Sequence, residues 1–273
     1  LLDNRYAIVI LVVGCILLGM ALVATTILFV QSQKQDILLK QQRSFVSSVT
    51  HELRSPIASL QLALETLTNR KVDPQMQQQI FEMGLADVER LRRLVEQILV
   101  SGRLDRGVPV FQEKPEPMNL RRLLESIVVS SKFLDQDVEQ RVQIDCAEDL
   151  LLTAPKAAIH IILSNLIENA IKYSPKGSPI AIECSKTSWD ATVIMIKDQG
   201  IGLEKYQQRR IFRMFHRAHQ ASKKAIPGTG LGLFIVRQTV RLLRGKIWVE
   251  SAGRDQGSTF YVELPGKPTK GKA

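Results

Sequence analysis

The chain has 273 residues, of which 45% are hydrophobic and 23% charged, the balance of a folded globular protein with room for two domains. Its formal net charge is +10. The basic residues are spread over helices and one loop, without an aromatic–basic pattern or a helix-turn-helix signature, so no nucleic-acid partner is indicated, and a phosphate-handling protein near a membrane accounts for the charge.

Residues 1–5 form a short flank. Tyr6 to Val30 follows without a charged residue. As a helix this stretch spans ~37 Å, more than the ~30 Å hydrocarbon core, and it is longer than the ~7–15-residue apolar region of a cleaved signal. A single transmembrane helix is expected over residues 6–30. Lys34, Lys40 and Arg43 after the span outweigh Arg5 before it, which places the C-terminal side in the cytoplasm. The first residue is Leu rather than Met, as expected if the numbering begins inside a longer protein.

Residues 31–104 read as a helical hairpin. Val46, Val49, Leu53, Ile57, Leu60, Leu64 and Leu67 recur at steps of three and four, and Phe81, Leu85, Val88, Leu91, Val95 and Ile98 do the same after a break at Asp73-Pro74. One hairpin buries such a stripe poorly. Two hairpins paired as a four-helix bundle bury it well, so a homodimer is expected. The transmembrane helix runs almost directly into this hairpin.

Residues 105–117, with Pro109, Pro115 and Pro117, read as a linker. Residues 118–265 then show an α+β pattern. Helices are expected over 120–133, 155–173 and 231–243, strands over 142–146, 180–184, 192–197, 246–251 and 258–263, and a basic loop over 203–229. The basic tail, 266–273, is too polar to fold. Cys15, Cys146 and Cys184 form no CxxC pair, so they read as unconnected thiols, without a zinc site or disulfide framework.

Candidate chemistry begins at Phe45-Val-Ser-Ser-Val-Thr-His51-Glu52-Leu53-Arg54-Ser55-Pro56. His51 lies two residues from both Val49 and Leu53, so its imidazole turns about 200° away from the seam. Neutral imidazole is a competent nucleophile, and the neighbouring Glu52 can take a proton from its other nitrogen. Position 55 is Ser rather than His, which excludes HExxH zinc chemistry. Pro56 removes a backbone donor and is expected to kink the helix.

Four further motifs follow. In Asn165-Leu-Ile-Glu-Asn169-Ala-Ile-Lys172-Tyr173 the numbered residues share one helix face, where amide oxygens suit Mg²⁺, Lys172 suits phosphate and Tyr173 suits a base. Asp198-Gln-Gly200-Ile-Gly202 ends a strand, so its carboxylate can accept from an exocyclic amine. Phe212 and Phe215, in Phe212-Arg-Met-Phe215-His-Arg217, form an apolar face on a cationic loop suited to a lid. Gly228-Thr229-Gly230-Leu231-Gly232 opens a helix, where exposed backbone N–H groups favour an anion. It is not a Walker A loop, since no Gly-Lys-Ser/Thr follows. Each motif alone also fits an ordinary solvated helix face or turn.

The string around His51 closely resembles the H box of sensor histidine kinases. The other four, in order and spacing, resemble the N box, first glycine box, F box and second glycine box of the GHKL (Bergerat) ATP-binding fold. The resemblance covers roughly residues 43–265. It implies a multidomain protein: a transmembrane helix, a dimeric helical hairpin of HisKA type, and an α+β two-layer sandwich that binds ATP. It also implies Mg²⁺-dependent autophosphorylation of His51 and transfer to an Asp of a response regulator receiver domain, at the bacterial inner membrane. By resemblance Glu52 is the acid/base, Asn169 ligates Mg²⁺, Asp198 reads adenine and Lys172 and Arg217 meet phosphates. Asn165, Tyr173, Gly200, Gly202, Phe212, Phe215, Gly228, Thr229, Gly230, Leu231 and Gly232 complete the ATP site and its lid. Ser55 stands where the family usually has Thr or Asn, residues that support dephosphorylation of the partner.

Two rivals differ in class. GHKL ATPases of the gyrase or chaperone type carry a water-activating Glu where this chain has Asn165. A degenerate dimeric scaffold would not need every motif position filled with competent chemistry, as it is here.

Overall fold

The computed structural model describes residues 2–69, 72–106, 110–111, 113–187, 190–216, 218 and 228–266. The chain divides into two compact units, Leu1–Ser47 and Ser48–Ala273. The first belongs to helix α1 (Leu2–Asn69). Its segment Leu11–Ile37 is 27 residues long and holds an 18-residue stretch with a mean hydropathy of 2.6, none of it buried, long and apolar enough to cross a membrane.

In the second unit α1 continues through Pro56 without ending. Helix α2 (Pro74–Asp105) starts where the sequence breaks: the Asp73 side chain accepts from the Met76 N–H at 2.8 Å, and Pro74 supplies a pre-set φ at the first turn. Much of the expected hairpin seam faces outward in the single chain, with Ile57, Leu64, Phe81, Leu85, Val88 and Val95 between 50% and 70% exposed.

The α+β half opens with β1 (Glu116–Asn119) and α3 (Leu120–Ser130). Asn119 caps α3 by accepting from the Arg122 N–H at 2.9 Å. Leu120, Leu123, Leu124, Ile127 and Val128 form the buried stripe of α3, at helical spacing. There follow a 3₁₀ turn (Ser131–Phe133), α4 (Val138–Arg141), β2 (Val142–Asp145), β3 (Leu151–Ala154) and α5 (Lys156–Tyr173). Then come β4 (Ile180–Lys186), β5 (Thr192–Asp198), α6 (Lys205–Gln208), α7 (Gly232–Leu242), β6 (Lys246–Glu250) and β7 (Ser258–Leu264).

The main sheet runs β2-β4-β5-β7-β6, with β2 parallel to β4 and the other pairs antiparallel. Burial alternates along β5 and β7, so Ile194, Ile196, Phe260 and Val262 point to the layer that α5 completes with Ile159, Leu163, Leu166 and Ile167. Helix α5 packs on α7, and α2 packs against α7 as well. The expected α+β two-layer sandwich is present.

Several elements depart from the sequence reading. Strand β1 begins at Glu116, inside the stretch read as a linker, and pairs antiparallel with β3 in a separate two-stranded sheet. These strands are four residues each, too short to show alternation above the noise. One turn of helix, α6, interrupts the basic loop through a capping box between Glu204 and Gln207. Cys146 and Cys184, read as unconnected, follow directly on the register pair Asp145↔Glu183, and the parallel pairing of β2 with β4 sets them side by side. Burial pushes both thiols up. The 266–273 tail lies, beyond Gly266, outside the described residues.

Candidate nucleotide site

A cavity of about 510 Å³ lies among α5, the ends of β5 and β7, the loop before α7, and the hairpin. Helix α5 lines it with Asn165, Glu168, Asn169, Lys172 and Tyr173, the face expected from a 3.6-residue period. The Asn165 amide is oriented: its Nδ2 donates to the Ile161 carbonyl at 2.8 Å. Its Oδ1 lies 2.6 Å from where a Cβ would stand on Gly232, so only glycine lets the loop approach this closely.

Asp198 ends β5 and is 6% exposed. Its Oδ1 accepts from the N–H groups of Gly200 at 2.8 Å and Ser258 at 3.2 Å. Among the described residues nothing donates to its other oxygen. Burial pushes the carboxyl above the ordinary Asp range, opposed by the two backbone donors. One oxygen is thus anchored, and the other is left to accept from a ligand in the cavity that Asp198 lines.

The next turn requires Gly202. Its φ is +63°, and a Cβ there would collide with the Gly253 carbonyl. Farther on, Gly228, Thr229, Gly230 and Gly232 line the cavity. A Cβ on Gly228 would stand 2.8 Å from Lys172 Nζ and 3.9 Å from Glu52 Oε1.

The hairpin forms the remaining wall through Glu52, Ala86, Asp87, Arg90, Arg93, Leu94 and Gln97. Glu52 is 7% exposed, and its Oε1 has no hydrogen-bond partner among the described residues. His51 is exposed and lies outside the wall, as do Ser55 and Arg54, which are also exposed. The first helix therefore presents the carboxylate, not the imidazole, to the cavity in this structure.

Of the remaining motif residues, Gly200, Phe212, Phe215 and Leu231 do not line the cavity. Gly200 instead presents its N–H to Asp198. Phe212 is buried one layer back, its ring edge-on to Phe260 at 6.5 Å, and Leu231 is fully buried. Phe215 does not share a helical face with Phe212, because it sits in a turn at φ +63°. Arg217 lies outside the described residues.

The sequence reading missed His216, Glu168 and the α2 side chains. Burial, with Arg210 and Arg213 nearby, pushes the His216 imidazole down, and its buried Nδ1 has no partner among the described residues. Burial pushes the Glu168 carboxyl up, opposed by Arg93 and Lys172. Both residues stood inside the quoted motifs. Nothing in the sequence signalled the α2 residues.

Residues 41–107 match the family model "His Kinase A (phospho-acceptor) domain", and residues 155–268 match "Histidine kinase-, DNA gyrase B-, and HSP90-like ATPase". Among similar proteins, the sensor histidine kinase WalK of Bacillus subtilis is 28% identical over 86% of this chain. The sensor protein SrrB of Staphylococcus aureus is 28% identical over 83%. The chain spans 38% of the length of each. The solved structure of the Acinetobacter baumannii histidine kinase AdeS covers 80% of this chain and 98% of its own, at 24% identity and a TM-score of 0.55, a likeness of fold.

Proposed function

Because the chain belongs to the two-component sensor histidine kinases, we propose that it phosphorylates His51 from Mg-ATP and passes the phosphoryl group to an Asp of a response regulator receiver domain. One observation carries this reading: a single cavity joins a half-anchored Asp198, the Asn169–Lys172 face of α5 and the glycine loop to Glu52, the neighbour of His51.

In the proposed site the free oxygen of Asp198 accepts from the adenine amine, and Tyr173 packs by the base. Lys172 and the N–H groups of the glycine loop bind phosphate oxygens. The donor set fits Mg²⁺, since Asn165 and Asn169 bring neutral amide oxygens to the same cavity as Lys172 and the glycine loop; Asn169 would hold the ion, which when bound neutralises charge on the phosphates. The lone pair of one His51 nitrogen attacks the γ-phosphorus in line, the bond to the ADP oxygen breaks, and the proton on the other nitrogen passes to Glu52. Because His51 lies outside the wall, transfer needs a movement that brings a His51, of the same chain or of a second copy, to the γ-phosphate.

Asn165 favours transfer to a side chain over hydrolysis. An amide cannot take a proton from water, as the Glu of the related ATPases does. The exposed apolar stripe of the hairpin supports a homodimer formed by residues 31–104, with 118–265 as the catalytic domain. The exposed apolar segment of α1 supports a single membrane span, and Lys34, Lys40 and Arg43 after it support a cytoplasmic catalytic part. Ser55 keeps an exposed hydroxyl that can orient a water, which supports a regulator phosphatase activity.

Incubation of the full chain in detergent with γ-labelled ATP tests the proposal. Acid-labile, base-stable label on the protein, lost in His51→Gln, is expected. Release of free phosphate without labelled protein would make the chain an ATPase, and failure to bind ATP would make it a scaffold.

A further inference from the structure

The α2 wall of the cavity carries an arginine without an ion-pair partner among the described residues. Its neighbours are paired. Arg92 binds Glu89 at 2.7 Å and Glu96 at 3.4 Å, and Arg93 lies 3.6 Å from Glu89 with its guanidinium 3.9 Å over the Phe133 ring. Arg90, half-buried and lining the cavity, has neither a hydrogen bond nor an ion pair among the described residues. Asp87, one turn earlier, lines the cavity too but makes no ion pair with it. A half-desolvated guanidinium without a counterion is costly, and an anion entering the cavity would offset that cost.

The level of Arg90 along the hairpin follows from one contact. A Cβ on Gly84 would stand 3.5 Å from Leu60 Cδ2, so these residues face each other across the antiparallel pair. Glu52 lies about two helical turns from Leu60 and Arg90 just under two turns from Gly84 in the matching direction, which sets them within about a turn of one level. Glu52 itself borders Gly228 together with Lys172. Arg90 therefore lines the cavity at about the level along the hairpin where Glu52 borders Lys172 and the glycine loop. That is the side from which the acceptor imidazole has to arrive.

We propose that Arg90 of α2 binds the terminal phosphate of the nucleoside triphosphate, so that the hairpin itself distinguishes ATP from ADP. The inference rests on the reading of this cavity as the ATP site. The groups of α5 and the glycine loop reach a diphosphate equally well; a group on the hairpin gains its partner only when a third phosphate is present.

The test uses the full chain in detergent micelles, with ADP and a non-hydrolysable ATP analogue titrated by calorimetry. Arg90→Ala is expected to weaken the analogue about tenfold while leaving ADP within about twofold, and Arg90→Lys to lie between, since an ammonium keeps the charge but not the fork. Arg92→Ala, whose partners lie on its own helix, is expected to leave the preference unchanged. Retained ADP binding certifies the fold of each variant. Equal loss of both nucleotides, no change in Arg90→Ala, or the same change in Arg92→Ala would overturn the assignment. A wild-type chain that binds neither nucleotide would overturn the ATP-site reading instead.

Discussion

Glu52 and Lys172 converge on the same backbone point: Lys172 Nζ and Glu52 Oε1 lie 2.8 Å and 3.9 Å from the position of a Cβ on Gly228. One comes from the first helix of the hairpin, the other from α5. Gly228 therefore stands where the hairpin and α5 both border the cavity.

Gly228→Ala puts a methyl group into that point. The nearest atom is the end of a flexible side chain, so Lys172 swings aside and the fold survives. ATP affinity is expected to fall about tenfold through the displaced ammonium, with the melting temperature nearly unchanged. Calorimetry and a thermal melt check both halves of the prediction.

Asn169→Ala removes the amide oxygen proposed to hold the metal. It is expected to abolish labelling of His51 while leaving the helical content, read by circular dichroism, intact. Full labelling in that variant would remove the metal assignment.

Asp198 gives a pH dependence of known sign. In the proposed site only the carboxylate accepts from the adenine amine without surrendering its backbone bonds, and burial raises its pKa. ATP affinity is therefore expected to be flat near neutrality and to decline on acidification at a higher pH than an ordinary Asp would give. Asp198→Asn must aim its NH₂ either at the N–H groups of Gly200 and Ser258 or at the adenine amine. A loss of about 10- to 100-fold is expected, from about 1–3 kcal/mol of unpaired donor. Isothermal titration across pH tests both.

Arg141 and Asp135 form a buried ion pair that steadies the end of α5. Arg141 is 5% exposed and also donates to the carbonyls of Pro175 at 3.0 Å and Ser178 at 2.9 Å, in the turn following Tyr173. The Arg141 hydrogen bond holds the Asp135 carboxyl below the usual range. The folded pKa is lower than the unfolded one, so this stability is present above about pH 4 and is lost as the pH falls through the depressed value. Asp135→Asn is expected to flatten that part of the stability–pH curve. Arg141→Ala should cost roughly 3 kcal/mol by stranding Asp135, read by urea denaturation.

The sequence by itself determined the helices, the long apolar segment and the α5 face. These depend on spacing along one element, and a 3.6-residue period puts Asn165, Asn169, Lys172 and Tyr173 together whatever else the chain does. It determined Asp198 and the glycine loop as well, because a carboxylate at a strand end and a glycine run before a helix are local features. The tertiary structure alone decided what closes the cavity. Arg90 and Arg93 look like ordinary solvated residues on an amphipathic helix until α2 packs against α7. Cys146 and Cys184 look independent until a parallel pairing crosses the whole of α5. Whether His51 or Glu52 faces the nucleotide is a matter of about 100° of helix rotation. Periodicity fixes that angle relative to the hairpin seam, but only the packing of the two halves fixes it relative to the ATP site.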